Sequence, residues 1–145
     1  MKKTTLYYSL VGLIACTLLF SCKKDKDEDA LKPPADRILG VWNVTTEIEK
    51  TYAYETGVFK DSSGLSIPAG AFTIDFRTDG KVYVKIIDEG SPEYDTVTYK
   101  VINEQELQLG EDTYTFKKFT NSDLMISTWY DDGSSNVENQ LVMKK

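Results

Sequence analysis

From residue 42 onward, apolar and polar residues alternate with a period of two, which is the pattern of β-strands that have one buried face. The first run places every second residue on the predicted inner face, in the order Trp42, Val44, Thr46 and Ile48. Glu47 and Glu49 are therefore predicted to face water. Gly40 precedes Trp42 closely and lets the backbone bend sharply, while the indole closes one end of the β-structure.

Seven further short runs repeat this alternation and predict strands at residues 72–76, 82–86, 97–101, 107–109, 114–116, 124–128 and 141–143. Asp79-Gly80 separates the first two of these runs, and such a pair favours the positive φ of a tight hairpin turn. Residues 51–70 are rich in glycine, proline and serine, so we predict a long loop there. Consecutive strands with short turns predict an all-β fold. Closure into an eight-stranded antiparallel up-and-down barrel removes exposed strand edges, and an open two-layer sandwich is the alternative.

The composition of the chain excludes several classes of function. The 145 residues include 28% charged and 41% hydrophobic residues, which fits one globular domain. Histidine is absent from the sequence, which excludes Ser-His and Cys-His nucleophiles and histidine-ligated metal sites. A hydrolase with paired carboxylates remains as an enzyme hypothesis, but no motif places such a pair, so we predict no enzyme, no metal site and no cofactor. Residues 22–145 carry 15 basic and 23 acidic residues, so nucleic acid is not an expected partner.

The N-terminal segment has the layout of a secretory signal peptide. Lys2 and Lys3 precede a largely apolar run at residues 6–20, and a charged stretch follows Cys22. This run of 15 residues is shorter than the roughly 20 that span a membrane. Residues 19–22, with the sequence Leu-Phe-Ser-Cys, resemble a bacterial lipobox.

The lipobox resemblance implies a lipoprotein signal peptide at residues 1–21, an acylated Cys22 that carries palmitate-type chains, and a flexible tether at residues 22–36. A second lipobox-like sequence ends at Cys16, and an ordinary cleaved signal peptide is a further alternative. The acidic, lysine-containing run 23–29 resembles the surface-export signal of Bacteroidetes-type lipoproteins. These resemblances imply a lipid anchor in the bacterial outer membrane, with exposure at the cell surface as one option.

The predicted barrel begins with Gly-Val-Trp at residues 40–42, and its first hairpin has the sequence Phe-Arg-Thr-Asp-Gly-Lys-Val at residues 76–82. Both motifs resemble the small lipocalin-like domains of Bacteroidetes-type lipoproteins. The resemblance implies that Trp42 lies at the closed end of the barrel beneath a basic residue, which Lys144 or Lys145 would supply. It also implies binding of a small apolar or glycan-like ligand. If side chains fill the barrel instead, we expect an interaction or inhibitor protein of the cell envelope.

The strands of the predicted barrel domain, residues 37–145, alternate in direction. If the Trp42 end is closed, every second loop lies at the opposite end, which is the predicted mouth. These loops contain nine acidic residues and one basic residue, namely Glu55, Asp61, Asp88, Glu89, Glu93, Glu111, Asp112, Asp131 and Asp132 with Lys60. A negative mouth attracts cations, so we expect neutral or cationic apolar ligands to bind better than fatty acids. The alternatives are that the acids only keep the domain soluble, or that some of them bind calcium.

Five aromatic residues are candidate ligand contacts: Tyr52, Tyr54, Phe59, Tyr99 and Tyr114. The first three lie in the predicted loop 51–70, where they would cover the mouth, stack on a sugar or contact the outer wall. Tyr99 and Tyr114 share the face of their strands' apolar residues and are expected inside the barrel, as ligand contacts or as core. A docking patch on the outer face would consist of Tyr83, Ile87 and Trp129.

Overall fold

The computed structural model describes residues 32–145, so the predicted signal peptide, Cys22 and most of the predicted tether lie outside the described residues. Within this range the chain forms one short helix, α1 (Pro34–Arg37), and nine strands. The strands are β1 (Gly40–Ala53), β2 (Phe59–Ser66), β3 (Phe72–Phe76), β4 (Lys81–Asp88), β5 (Ser91–Val101), β6 (Glu106–Leu109), β7 (Asp112–Phe119), β8 (Asp123–Asp131) and β9 (Ser135–Lys144).

Eight of the nine strands close into a barrel. From β3 to β9, each strand pairs antiparallel with the next one along the chain, and β1 pairs with β3 on one edge and with β9 on the other. The extra strand, β2, pairs with β1 beyond the point where β3 ends. This closed ring confirms the predicted all-β, eight-stranded up-and-down barrel and excludes the open two-layer sandwich.

Because neighbouring strands are antiparallel, the loops alternate between the two ends of the barrel. We call the end where β1 begins the base, and the end where β1 meets loop 54–58 the mouth. The mouth also contains the turns at residues 89–90, 110–111 and 132–134. The predicted hairpin at Asp79-Gly80 joins β3 to β4 at the base, and Gly80 adopts the positive φ, +76°, that this turn requires.

The predicted loop at residues 51–70 is wrong over most of its length. β1 continues to Ala53, and β2 pairs with residues 46–52 of β1. Every residue of β2 is exposed, so this strand buries neither face and its sequence shows no apolar alternation. Backbone pairing with β1 overrides the weak strand preference of its serine and glycine residues.

A β-bulge at Thr45 interrupts β1. Val44 pairs with Met143 of β9, and Thr46 pairs with the adjacent residue Val142. Thr45 is therefore an extra residue that has no pairing partner on β9. The Thr45 hydroxyl donates to the carbonyl oxygen of Val142 at 3.1 Å, which holds the bulged residue against β9.

The bulge changes which β1 residues face the interior. Leu141, which contacts the core from β9, pairs with Glu47. Glu47 and Glu49 consequently face inward, while Thr46 and Ile48 face outward. The predicted inner face of this strand is therefore wrong beyond the bulge, because a period of two does not reveal an inserted residue.

Apolar side chains close the base. Trp42 and Ile38 are fully buried, and the indole N–H of Trp42 donates to the carbonyl oxygen of Ile38 at 2.7 Å. Lys145 Nζ lies 4.6 Å from the centre of the indole ring, in the place expected for a basic residue. Gly40 has a φ of +103°, which a residue with a side chain rarely adopts. The rest of the buried core comes from strands all around the barrel: Val44, Ile74, Phe76, Val82, Leu107, Leu124, Ile126 and Met143.

The helix α1 lies beside this closed end. Pro34 lies in its first turn, where backbone N–H groups have no partner within the helix, so the N–H that proline lacks costs no hydrogen bond. Arg37, its last residue, donates to the carbonyl oxygen of Phe119 at 3.3 Å and places its guanidinium carbon 4.5 Å from the centre of that ring. These contacts join the start of the described chain to the base end of β7.

A buried carboxylate stabilises the outer wall. Glu138 of β9 is 3% exposed, with Lys117 Nζ at 2.9 Å and Lys50 Nζ at 3.9 Å from its carboxylate oxygens. Burial by itself would raise the pKa of Glu138. Hydrogen bonds from Lys117 and Gln140, together with the charge of Lys117, outweigh that effect and lower the pKa below the ordinary glutamate value.

Candidate functional site

The candidate site is the inner face of the barrel's mouth half. Paired residues of neighbouring strands lie on the same face of a sheet, so the buried Val82 fixes the orientation of the residues beyond it on β4. Val84 and Ile86 face inward, and so do their β5 partners Asp95 and Glu93. The core fills the base half, but Ile86 is 40% exposed, so the described side chains do not fill the mouth half.

A cleft of about 370 Å³ opens from this half of the barrel. Most of its wall is apolar, and its lining consists of Leu65, Ile67, Pro68, Ala71, Phe72, Ile86 and Ile87 with Glu47 and Ser66. A second cleft of about 210 Å³ is lined by Val84, Ile86, Glu93, Tyr94 and Asp95. Because both clefts include Ile86, they adjoin along the inner face of β4.

Seven carboxylates face the interior above the core: Glu47, Glu49, Asp61, Asp88, Glu93, Asp95 and Asp112. Asp61 is opposite Thr51 in the β1–β2 pairing, and Asp112 is opposite the inward Leu109. At the rim, Lys60 donates to Ser135 Oγ at 3.2 Å. Like charges in a partly enclosed space add up, so the mouth half has a negative potential.

The two β1 carboxylates are held by neighbouring side chains. Asn139 donates to Glu47 at 3.0 Å, and the Tyr130 hydroxyl donates to Glu49 at 3.1 Å. Burial, the hydrogen bond to Glu49 and the charge of that carboxylate all raise the pKa of Tyr130. Glu93, on the opposite wall, has no hydrogen-bond or ion-pair partner among residues 32–145, which leaves both of its oxygens available to a ligand.

Tyr52 and Phe59 lie on the outer wall of the barrel, away from the clefts. Their strand positions pair with each other on the outward face, and their ring centres are 5.7 Å apart. Trp129 of β8 continues this row, with its ring centre 5.1 Å from that of Tyr52. Tyr54 is 56% exposed at the start of the loop after β1. Of the arrangements considered for these residues, the structure places Tyr52 and Phe59 in contact with the outer wall.

Tyr99 and Tyr114 both face inward but occupy different levels of the barrel. Tyr99 lies near the base, where its ring contacts Phe76 edge-on at 5.1 Å and its hydroxyl donates to the carbonyl oxygen of Arg77 at 2.9 Å. Tyr114 contacts the core from the side of Asp112, and burial together with that charge raises its pKa. The five candidate aromatic residues are therefore not brought together, and Tyr114 is the one placed below the acidic interior.

The hypothetical patch of Tyr83, Ile87 and Trp129 is not formed. β4 and β8 are separated by four positions in the ring of eight strands, so their outward faces lie on opposite sides of the barrel. Tyr83 contacts the guanidinium of Arg77 at 4.1 Å and donates to Asp79 at 3.1 Å. Ile87 instead belongs to the larger cleft.

Sequence reasoning missed the residues that form this cleft. Leu65 and Ile67 lie in a stretch that was predicted to be loop, although their spacing of two, between serines, was a weak sign of a strand. Glu47 was predicted to face water. The inward turn of Glu47 depends on the bulge, for which the sequence offers no signal.

Two other classes of site find no support within residues 32–145. No group of three or more histidine, cysteine, aspartate or glutamate side chains in this range is arranged to hold a metal ion. In the same range, no helix has the length and apolar character needed to cross a bilayer.

No protein-family model matches this chain, and no curated protein matches it either. Among solved structures, the chain is similar to a bovine odorant binding protein, described as a deswapped triple mutant, with 11% sequence identity and a TM-score of 0.44. The similarity covers 75% of this chain and 74% of that chain. The class of this protein, an eight-stranded antiparallel barrel with an open, acidic mouth half, rests on its own strand pairing.

Proposed function

We propose that this chain is a lipid-anchored barrel protein that binds a small apolar ligand carrying a positive charge. The observation that carries this proposal is the placement of inward carboxylates beside an apolar cleft. Glu47 lines the larger cleft, and Glu93 and Asp95 line the adjoining one. Acids whose only role is solubility would be equally effective on the outer face, where they do not border apolar surface.

The two parts of such a ligand would be bound by different forces. Its apolar part would cover Leu65, Phe72 and Ile86 and gain about 25 cal/mol for each Å² removed from water. Its cationic group would lie near Glu93, whose carboxylate has no other partner among the described residues. Because this site is open to water, each carboxylate would contribute about 1 kcal/mol or less.

The anchoring part of the proposal rests on the sequence. The lipobox-like residues 19–22 and the charged run 23–29 support acylation of Cys22 and a location at the bacterial outer membrane, facing either the periplasm or the exterior. Residues 32 and 33 lead directly to α1 at the base, so the tether would join the domain at the end opposite the mouth. A ligand would then approach from the side away from the membrane.

A second candidate function is binding of another envelope protein through the outer wall. The row Phe59, Tyr52 and Trp129 supports it, since Phe59 is 54% and Trp129 is 51% exposed, and aromatic residues are enriched in protein interfaces. A glycan ligand inside the barrel has less support, because Tyr52 and Phe59 do not face the interior.

The ligand preference is tested by calorimetric titration with dodecyltrimethylammonium, dodecanol and dodecanoate, which share one alkyl chain and differ in head-group charge. We expect affinity to fall in that order. Glu93→Gln should weaken binding of the ammonium compound by about two- to fivefold, which corresponds to the loss of up to about 1 kcal/mol. Binding of dodecanol should not change.

Glu104→Gln is the matched control, because Glu104 lies in the turn between β5 and β6 at the base and carries the same charge. This variant should bind all three compounds as the wild type does. Tighter binding of dodecanoate than of the ammonium compound would contradict the proposal. Absence of binding by all three would favour the outer-wall function.

Anchoring is tested by intact mass spectrometry of the protein extracted from its own membrane. We expect a mass that begins at Cys22 and includes acyl chains. Cys22→Ser should abolish the acyl mass and release the protein from the membrane fraction, whereas Cys16→Ser should leave both unchanged. Retention of acyl chains in Cys22→Ser would contradict this assignment.

A further inference from the structure

The barrel wall is interrupted between β2 and β4. β2 pairs with β1 along one edge, and its other edge has no strand partner within residues 32–145. The β3–β4 ladder ends at Phe72 and Ile86, after which Ile87 N donates to the carbonyl oxygen of Ala71 at 2.7 Å. Above that bond, β2 and β4 are not hydrogen-bonded to each other, so the wall has a side opening between these two strands.

The larger cleft passes through this side opening. Phe72 and Ile86 reach the cleft from the inner face of the wall, whereas Ile87 and Ser66 belong to the outward positions of β4 and β2. One continuous cleft therefore connects the interior with the outer surface. A ligand lying in it would cross the wall instead of being enclosed by it.

The linker between β2 and β3, residues 67–71, forms the lower border of the opening. Ile67 N donates to the carbonyl oxygen of Thr45 at 2.9 Å, and Ala71 N donates to that of Pro68 at 3.0 Å. With the Ala71–Ile87 bond, these contacts attach the linker to both β1 and β4. The border of the opening is thus a hydrogen-bonded element, which favours a permanent opening over a transient one.

Exposed apolar side chains surround the opening. Leu65 is 64%, Ile86 40% and Ile87 39% exposed, and they share one cleft. Clustered exposed apolar residues are uncommon on monomeric proteins and mark binding surfaces. Glu47 lies at the inner end of the same cleft, so apolar surface leads from the outside to a carboxylate.

We propose that the ligand is a long-chain cationic amphiphile whose head group lies among the interior carboxylates and whose tail leaves the barrel through the side opening between β2 and β4. This inference rests on the proposed function and adds the class and orientation of the ligand. The charge of Glu47, Glu93 and Asp95 selects the cationic end for the interior. The apolar border formed by Leu65 and Ile87 accommodates the alkyl chain, so the length of the tail is not limited by the volume of the barrel.

The test compares dodecyltrimethylammonium with the same compound carrying a bulky fluorophore on the last carbon of its chain. If the tail leaves through the wall, the wild-type protein should bind both probes with dissociation constants within about threefold of each other. Ile87→Trp narrows the opening from the outside. This variant should weaken binding of the tail-labelled probe by about tenfold or more and leave the unlabelled probe nearly unaffected.

Lys85→Trp is the matched control, because Lys85 also faces outward on β4 but is not part of the cleft. It should bind both probes as the wild type does. Ser66→Trp narrows the opening from β2 and should reproduce the effect of Ile87→Trp, which separates closure of the opening from damage to β4. Thermal unfolding of each variant verifies that the barrel is intact.

Binding of the unlabelled probe without binding of the tail-labelled probe to wild-type protein would overturn the side-opening inference and leave the proposed function in place. An equal loss of the labelled probe in Lys85→Trp would overturn it as well. If the wild-type protein binds neither probe, the proposed function fails and this inference fails with it.

Discussion

The two tryptophans of this chain have opposite environments. Trp42 is fully buried at the base and donates a hydrogen bond, whereas Trp129 is 51% exposed on the outer wall. Trp42→Phe removes buried volume and leaves the carbonyl oxygen of Ile38 without its indole donor, so we expect a loss of about 2–4 kcal/mol in the free energy of unfolding.

Trp129→Phe provides the comparison and should lower the free energy of unfolding by less than about 1 kcal/mol. Urea denaturation followed by far-ultraviolet circular dichroism measures both variants, and the remaining tryptophan in each reports its own site by fluorescence. Equal losses in the two variants would mean that Trp42 does not close the base.

Glu138 makes stability depend on acid pH. Its pKa is lowered in the folded state, so its contribution to stability is complete above the unfolded-state pKa and disappears as the pH falls through the folded-state pKa. The partners Lys50 and Lys117 are about a third exposed, which moderates the effect. We expect Glu138→Gln to lose about 1–2 kcal/mol at pH 7.

The difference between wild type and Glu138→Gln should shrink as the pH is lowered below 4.5, the ordinary glutamate value. Chemical denaturation at neutral and at acid pH measures it, with Glu104→Gln as a control expected to follow the wild type at both. A difference that persists unchanged in acid would show that the Glu138 charge does not provide the stabilisation.

At the residue scale, the sequence predicted the surroundings of a residue correctly where these depend on residues nearby in the chain. Trp42 and Gly40 were identified in this way, and a basic residue over the indole was expected from the family resemblance and is supplied by Lys145. The orientation of Glu47 was predicted wrongly because it depends on the register with β9, a partner almost a hundred residues away.

Among the elements, β2 is distinguished by its single neighbour. Its amides are hydrogen-bonded to β1 alone, and all of its residues are exposed. Local opening of such a strand breaks few contacts. We therefore expect the amides of β2 to exchange with deuterium at least about tenfold faster than those of β9, which is paired on both sides.

Hydrogen exchange followed by mass spectrometry, with peptides covering residues 59–66 and 135–144, measures this difference. β4 is an internal control, because it is paired on both sides over most of its length and should resemble β9. Protection of β2 equal to that of β9 would indicate a further partner for its free edge.

Alternation predicted the eight strands of the ring because each of them buries one face against the core. β2 buries neither face, so the physical cause of the alternation is missing and its sequence resembles a loop. The alternation pattern also fails to predict the candidate site. Its apolar wall comes from the ends of β2 and β4 and the linker 67–71, whose proximity depends on strand order and register.

The whole molecule is electrostatically uneven. The sequence predicted nine acidic residues and one basic residue in the mouth loops, but only Glu55, Glu89, Glu111 and Asp132 lie in these loops, and the others lie on strands. The structure places seven carboxylates on the inner face of the mouth half. Arg37, Lys144 and Lys145 lie at the base. A cation approaching the mouth is therefore attracted before it makes contact.

We expect the association rate of dodecyltrimethylammonium to fall by about tenfold between low salt and roughly 0.5 M salt, because screening shortens the reach of the field. The dissociation rate should change much less. Stopped-flow fluorescence of the tail-labelled probe measures both rates, and dodecanol carrying the same tail label, which has no charge, is the control. An association rate that does not depend on salt would show that the charge of the mouth does not attract the ligand.

The bulge at position 45 takes up one extra residue without reversing the faces of β1. Glu47 faces the lumen through its pairing with Leu141, so a gene one codon shorter at this point would encode a regular strand with the same residues inside. If Thr45 were instead part of a regular ladder, every residue beyond it would change sides, and Ile48 would replace both glutamates in the lumen. The anionic lumen of this barrel thus depends on how one strand accommodates a single residue and not on which amino acids that strand contains.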